Sequence, residues 1–406
     1  MTTKRIAIWG ASSLNNWGDR LIALITEKEL RARIPESFLA QLCPWNSHDD
    51  RRLWFDKNGK WPYAADFDAV VVAGGGLFAG PPFKHPVMQL FCFGAQPDQF
   101  APKLCACWNA VGQQDDACAG NNPHWAKYTE LLRSRLDYCS VRSKTTAEHI
   151  GQGSELSPTH VVPDSVYALP PLRLRNRIRG KRIRVGVALG SPFPTREFVS
   201  TLAGSRVADS CPFEPSICLT PAEFMSQELP PTEIARQQTL LPLAVSALNR
   251  LSRVAAIEFF GFGLMYGDAG LATTLSGLVT GSTCRTGADD FDDLQTLFAS
   301  YDVLIVSRYH AAILAHRAGR PFIGVDPHWS HRTQTSKLHE LMRSINQSQF
   351  YWNGAGGEEA ASAGLWERFE TWMELEASRE AVPYEEMHRQ SLRNFDRLSS
   401  AIMKGR

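Results

Sequence analysis

The chain has 406 residues, and its 43 lysines and arginines nearly balance 42 aspartates and glutamates, for a formal net charge of +1. That balance excludes the one-signed field of a nucleic-acid binder or an anionic-membrane protein, while the length suffices for two domains with a sizeable core. No apolar run approaches the roughly 20 residues that span a bilayer, and the N-terminus enters a strand pattern without a secretory h-region, so a cytoplasmic protein is expected. Nine cysteines is an odd number. Cys105 and Cys107 lack zinc-knuckle spacing and no His/Cys cluster accompanies them, so reduced thiols and no metal are expected.

In chain order, Lys4 to Gly10 reads as strand and turn, and Ala11 to Asp19 as a polar loop holding Asn15 and Asn16. Leu21, Ile22, Leu24, Ile25 and Leu30 then recur at helical spacing up to Arg33, with Asp19 placed to cap. Ser37 to Cys43 reads as a second strand. Residues 44 to 65, with Trp45, Trp54 and Trp61, show no period and suggest an irregular lobe. Phe67 to Ala73 is a third strand ending in Gly74, Gly75 and Gly76, where missing side chains would let backbone approach a ligand. An apolar run, Leu104 to Val111, is followed by a polar glycine-containing loop, and 124 to 136 reads as helix. Tyr138 to Val141 is a short strand ending at Arg142, with a helix from Ser143 to Gly151 capped by Ser143 and Thr145. His160 to Tyr167 reads as the last strand of this half and carries Asp164.

Prolines open the stretch Leu169 to Gly180, four arginines solvate it and a glycine closes it, so it reads as the domain boundary. The expected organisation is residues 1–170, a basic linker 171–182, and 183–406 with C-terminal helices packing back on the first domain. The linker arginines serve either as a solvated spacer or as a peripheral contact with a membrane surface or acidic glycan. The second half restarts with a strand from Arg184 to Leu189 and a proline- and serine-rich insert over 190–230. A helix within Thr232 to Arg250, a strand from Val254 to Phe260 and a helix from Asp292 to Ser300 follow. Val303 to Val306 is apolar without alternation, the mark of a strand buried on both faces. Ala311 to Ala318 is a helix stopped by Gly319 and Pro321, and Phe322 to Val325 is the next strand. Helical patterns run from Leu365 to Glu380 and from Tyr384 to Met403.

Ligands of such β-α-β units sit at the carboxyl ends of strands. Ser307, Arg308 and His310 fall in that position, beside a helix N-terminus whose N–H groups suit an anion. Ser307 either caps the helix or meets a ligand. The arginine and histidine suggest anion binding coupled to proton transfer, against the alternative of surface polarity. The alternation as a whole gives an α/β chain of two Rossmann-type, doubly wound domains with a cleft between them, a GT-B-like arrangement. The G-x-G-x-x-G dinucleotide fingerprint is absent.

Four ordered motifs carry a resemblance. They are Asn15-Asn-Trp-Gly18-Asp19, then Val70 to Phe78 with its glycine triplet, then Ser140-Val-Arg142 with Val161-Val-Pro-Asp164 downstream. The fourth is Ser307-Arg-Tyr-His310-Ala running through Gly319-Arg-Pro321. Together they make the chain resemble the polysaccharide pyruvyl transferase family. The resemblance implies transfer of pyruvate from phosphoenolpyruvate to two hydroxyls of one sugar, giving a cyclic ketal and phosphate. Its acceptor would be a bacterial surface polysaccharide or a lipid-linked or nucleotide-activated precursor, at the inner face of the membrane, and no cofactor is implied. It implicates Arg142, Arg308 and His310 in donor binding and catalysis, and the two arginines are read here as donor-binding and His310 as catalytic. The family's basic residue after the last strand has two candidates here, Arg332 and Lys337. This chain also departs from the family's glycine-containing first loop, with Ser12-Ser-Leu14 before its asparagines.

The chemistry suits these residue types. Phosphoenolpyruvate carries a carboxylate and a phosphate on neighbouring atoms, and a guanidinium fork can take either in two hydrogen bonds. Protonating the methylene carbon needs an acid that works near neutral pH, which histidine supplies. Asp19 and Asp164 are each either the catalytic base for the acceptor hydroxyl, or at least a carboxylate that orients it, or a cap and a turn residue respectively. Asn15, Asn16, Gly75, Gly76 and Ser307 are the further candidates for holding donor or sugar. Two other readings stay open: a GT-B glycosyltransferase using a nucleotide sugar, and a catalytically inactive glycan-binding protein.

Overall fold

The computed structural model describes residues 3–10, 17–42, 67–78, 105–113, 136–150, 159–172, 182–190, 231–262, 268–285, 291–327, 335–354, 364–371 and 382–405. The chain divides into two compact units, Met1–Pro170 with Glu385–Arg406, and Pro171–Tyr384. Asn15, Asn16, Arg332, the helix expected over 124–136, the tryptophan lobe, the linker arginines and the 190–230 insert beyond Gly190 lie outside the described residues.

Among the described residues, the first unit holds a parallel sheet of seven strands. They are β1 (Arg5–Trp9), β2 (Phe38–Leu42), β3 (Ala69–Val72), β4 (Gly75–Phe78), β5 (Cys105–Gln113), β6 (Tyr138–Val141) and β7 (Thr159–Val161). The order is β2-β1-β3-β5-β6-β7, with β4 also paired to β5. Ile6 to Trp9 and Val70 to Val72 are almost fully buried, as apolar runs in parallel sheets are when both faces are covered. Helix α1 (Trp17–Arg33) packs on β1 and β2. It buries Leu21, Ile22, Ile25 and Leu30, whereas Leu24, counted with the apolar stripe, is 51% exposed.

Several expectations for this unit need correcting. Asp19 sits in the first turn of α1, two residues inside its start, rather than at the cap. There it still favours the helix dipole. The third strand ends at Val72 rather than Ala73, and Gly75 and Gly76 open a further strand, β4. The apolar run from 104 continues as strand to Gln113. Thr145 lies within α2 (Lys144–Ile150), and Ser143 caps that helix by accepting from the Thr146 N–H at 3.1 Å. The strand expected over His160 to Tyr167 stops at Val161. Pro163 cannot donate to a sheet, and Asp164 caps a 3-10 turn, Ser165–Ala168.

The second unit, again among the described residues, holds a six-stranded parallel sheet ordered β10-β9-β8-β11-β12-β13. Its strands are β8 (Ile183–Ala188), β9 (Ala255–Phe260), β10 (Thr283–Arg285), β11 (Val303–Val306), β12 (Phe322–Val325) and β13 (Tyr351–Trp352). The helices are α3 (Pro231–Leu251), α4 (Asp268–Leu278), α5 (Phe291–Ala299), α6 (Tyr309–Arg317), α7 (Lys337–Ser344) and α8 (364–371). The last helix, α9 (Tyr384–Lys404), places Glu385 onward in the first unit. Four elements, α4, β10, α7 and β13, have no counterpart in the sequence reading. Helix α6 buries Ala311, Ala312 and Ala315 completely, and small side chains there let it lie close to the sheet. Gly319 ends it at φ +58° while its N–H bonds the His316 carbonyl at 2.9 Å, the left-handed stop that glycine allows.

Candidate active site

Arg142 follows β6 directly and its side chain is only 4% exposed. Its Nη1 reaches Asp164 Oδ2 at 3.2 Å, and that carboxylate, 1% exposed, also accepts the Val166 N–H at 3.0 Å through Oδ1. The sequence candidates Arg142 and Asp164 are thus brought together as a buried ion pair. On its other side the guanidinium lies against Gly112 at the end of β5. A Cβ on Gly112 would stand 1.9 Å from Arg142 Nε, so any side chain there would push the guanidinium away.

The second unit builds the same device from different residues. Arg308 follows β11 and gives two hydrogen bonds to Asp268, at 3.1 Å from Nε and a shorter one from Nη2. Asp268 opens α4 and is buried; burial pushes its carboxyl up from the ordinary value of 3.8 against the opposing pull of Arg308. Beneath this arginine lies Gly190, just past β8, the strand paired with β11. A Cβ there would stand 2.3 Å from Arg308 Nε and 2.7 Å from Asp268 Oδ1. Ser307 Oγ accepts the Gly190 N–H at 2.7 Å and donates to its carbonyl at 3.1 Å. That fixes the glycine under the guanidinium, and Ser307 is not the helix cap: Arg308 is the N-cap and no side chain caps α6.

His310 is the second residue of α6, 8% exposed, with its ring edge-on to Tyr309 at 5.2 Å between centroids. The next strand end carries a further buried carboxylate. Asp326, just past β12, accepts hydrogen bonds from Tyr351 Oη at 2.6 Å and from Ser336 Oγ. Ser336 caps α7, accepting the His339 N–H at 3.0 Å, so the start of α7 and its first residue, the half-buried Lys337, are tied to the end of β12. Asp19 is half-buried on α1.

The glycine triplet does something the sequence reading did not foresee. Gly74 and Gly75 have φ +75° and +84°, a conformation that costs other residues dearly. A Cβ on Gly74 would meet the Asn109 carbonyl at 3.0 Å and Ile22 at 3.2 Å. The close approach at Gly74 is to the protein's own β5 and α1. Gly112, Gly190, Asp268 and Asp326 went unnoticed in the sequence, where the only signals are a glycine after an apolar run and an aspartate opening a helix or closing a strand.

Among the described residues, no group of three or more histidines, cysteines, aspartates and glutamates could hold a metal ion, and no helix is long and apolar enough to cross a membrane. Curated proteins give no match. Among solved structures, the chain is similar to a putative UDP-N-acetylglucosamine 2-epimerase from Listeria monocytogenes. The identity is 10%, the TM-score 0.53, and coverage 99% of this chain and 96% of that one. A UDP-GlcNAc 2-epimerase from Methanocaldococcus jannaschii, solved in complex with UDP-GlcNAc and UDP, is 9% identical at TM-score 0.53, covering 98% and 100%. A glycosyltransferase from Rickettsia africae is 8% identical at TM-score 0.50, covering 100% and 94%. At such identities the likeness concerns the fold alone, two Rossmann-type α/β units of GT-B-like kind. The model of the family described as polysaccharide pyruvyl transferase matches residues 16–328, which include Arg142, Asp164, Asp268, Arg308 and His310. The chain belongs to the polysaccharide pyruvyl transferase family.

Proposed function

We propose that this protein transfers pyruvate from phosphoenolpyruvate to two hydroxyls of one sugar in a bacterial surface polysaccharide or its lipid-linked or nucleotide-activated precursor. Arg142 and Arg308 bind the donor's carboxylate and phosphate, and His310 delivers the proton. The observation that carries this reading is the repeated construction of the two arginines. Each stands at the carboxyl end of a parallel strand, packed directly over a glycine whose Cβ would displace the guanidinium, and is aimed by a buried aspartate. A guanidinium held in a fixed direction within its own unit suits an anionic group of a small ligand.

In this reaction His310 protonates the donor's methylene carbon as the first hydroxyl bonds to the neighbouring carbon, and that hydroxyl's proton restores the histidine. Phosphate then leaves, the second hydroxyl closes the ketal, and its proton departs with phosphate. Asp164 orients Arg142 in this scheme rather than serving as base, since Arg142 and the Val166 N–H engage its two oxygens. Asp19 is the remaining described carboxylate proposed for the acceptor hydroxyl. Lys337, at the start of α7, is the described candidate for the family's further basic residue.

The test is phosphate release from phosphoenolpyruvate with a panel of acceptor glycans, read together with the mass of a pyruvate ketal on the glycan. His310→Ala serves as the control. Release of nucleoside diphosphate from a nucleotide sugar, with none from phosphoenolpyruvate, would replace this reading by a glycosyltransferase. No turnover of either donor, with glycan binding retained, would point to an inactive binding protein.

A further inference from the structure

Strand β5 does not run evenly past β6. Trp108 pairs with Cys139, yet Val111 pairs with Val141, so three steps on β5 match two on β6. The extra residue is a bulge at Asn109 and Ala110, and Ala110 has φ +51°, a strained conformation for alanine. Beyond it the register is moved by one. The Arg142 N–H bonds the Val111 carbonyl at 3.1 Å, and Gly112 comes to lie under the guanidinium. An unbulged β5 would put Val111 there, with its side chain against the guanidinium.

Two sets of side chains hold the bulge. Ser140 Oγ accepts the Ala110 N–H at 2.9 Å and donates to the Trp108 carbonyl at 3.1 Å. From α9, Asn394 Nδ2 donates to Asn109 Oδ1 at 2.7 Å, and Asn109 Nδ2 donates onward to Thr26 and Ser165. Asn394 Oδ1 is itself fixed by the Tyr138 hydroxyl at 2.6 Å. Asn109, Ser140 and Asn394 are 0–1% exposed. The same helix places His388 Nδ1 on the Tyr167 carbonyl, 2.9 Å away, in the turn that Asp164 caps.

We infer that Asn394 and Ser140 are positioning residues for Arg142: they pin the β5 bulge whose one-residue shift puts Gly112, and not Val111, beneath the guanidinium. Its consequence for donor affinity rests on the function proposed above; its consequence for Arg142 itself does not.

The experiment uses the full chain with isotope-labelled arginine. It follows the Arg142 Nε–H signal (assigned through Arg142→Lys) and phosphoenolpyruvate binding by calorimetry, beside thermal unfolding. Asn394→Asp keeps the acceptor for Tyr138 but loses the donor to Asn109. It should move or broaden the Arg142 signal and weaken donor binding about tenfold, the worth of one buried hydrogen bond. Ser140→Ala should do the same from the other side of the bulge, which covers the case in which Asn394→Asp does not fold. Tyr138→Phe leaves the Asn394–Asn109 bond in place and should keep binding within about twofold. An Arg142 signal unchanged in both Asn394→Asp and Ser140→Ala overturns the inference, whatever happens to the melting temperature. A shifted signal in a protein that never binds phosphoenolpyruvate upholds the inference and overturns the proposed donor.

Discussion

Replacing Gly112 by alanine tests the reasoning most sharply, because one methyl group acts on one buried charge. The new Cβ would lie 1.9 Å from Arg142 Nε and 2.5 Å from Cζ. To reach ordinary contact the guanidinium must retreat about 1.5 Å. A 3.2 Å hydrogen bond to Asp164 does not survive such a move. With the arginine side chain 4% exposed and the carboxylate 1% exposed, neither charge can turn to water. Losing a charge-assisted hydrogen bond costs about 1.5–3 kcal/mol, and a separated buried pair costs about 3–5. We expect destabilisation of about 3 kcal/mol, a fall in Tm of about 6–12 °C for a unit of this size. Donor affinity should fall about 100-fold.

Gly190→Ala is the companion experiment with a different expected signature. Arg308 is 19% exposed and can swing outward into water, which the 4% exposed Arg142 cannot. Stability should therefore change by about 1 kcal/mol or less, while phosphoenolpyruvate affinity still falls about tenfold or more. Calorimetry for the donor and thermal unfolding for each variant separate the two effects. A Gly112→Ala protein with wild-type Tm and wild-type donor affinity would refute the argument, since it would mean that Arg142 is not held where the close contact requires.

Three further outcomes are expected. Ala110→Gly should stabilise the protein by about 1 kcal/mol, read as a higher urea midpoint at constant slope, because glycine takes φ +51° without the strain alanine bears there. His310→Ala should cut phosphate release by roughly 10²–10⁴-fold while leaving calorimetric binding of phosphoenolpyruvate within a few-fold, the pattern of a lost acid rather than a lost contact. Donor binding should weaken on acidification at a pH above 3.8, since burial raises the Asp268 carboxyl and its protonation releases Arg308. In Asp268→Asn that acid limb should vanish and affinity should be low at every pH.

What the sequence made legible and what it hid follow one physical line. The β11–α6–β12 unit could be read from Val303 to Val325 because each decision there is local. Unbroken apolar runs give buried strands, alanines give helix, and Gly319 with Pro321 ends it. Asp19 was misplaced because a cap and a first-turn position both favour an acidic residue. Asp164 was read into a strand because the valines around it outweighed Pro163, although the Pro-Asp-Ser sequence was a turn signal in plain view. The partners of the two arginines could not be read in the same way. Asp268 lies 40 residues from Arg308, and a register shift of one residue in β5 leaves no local mark. Even Ser140, quoted within a motif, gave no sign that it stitches a bulge. Residue types were legible, whereas pairings across strands were not.

A buried aspartate beside each arginine proposed to bind the donor looks self-defeating, since it cancels much of the positive field that would draw the donor in. Magnitudes decide the matter. At physiological ionic strength a long-range field is screened over about 8 Å, so a bare arginine would gain little beyond contact distance. A mobile arginine, by contrast, gives up about 2 kcal/mol of rotamer freedom when it grips a ligand. Holding Arg142 by Asp164 and Gly112, and Arg308 by Asp268 and Gly190, pays that cost at folding. For each arginine it amounts to about 2 kcal/mol, or roughly thirtyfold in affinity. Direction is retained as well, because a guanidinium has five N–H donors in one plane and the aspartate, by taking some, fixes where all of them point. On this account the carboxylates exchange attraction at a distance for geometry at contact. The glycines are as much part of the site as the charges, since a planar group laid on bare backbone has one orientation left to it.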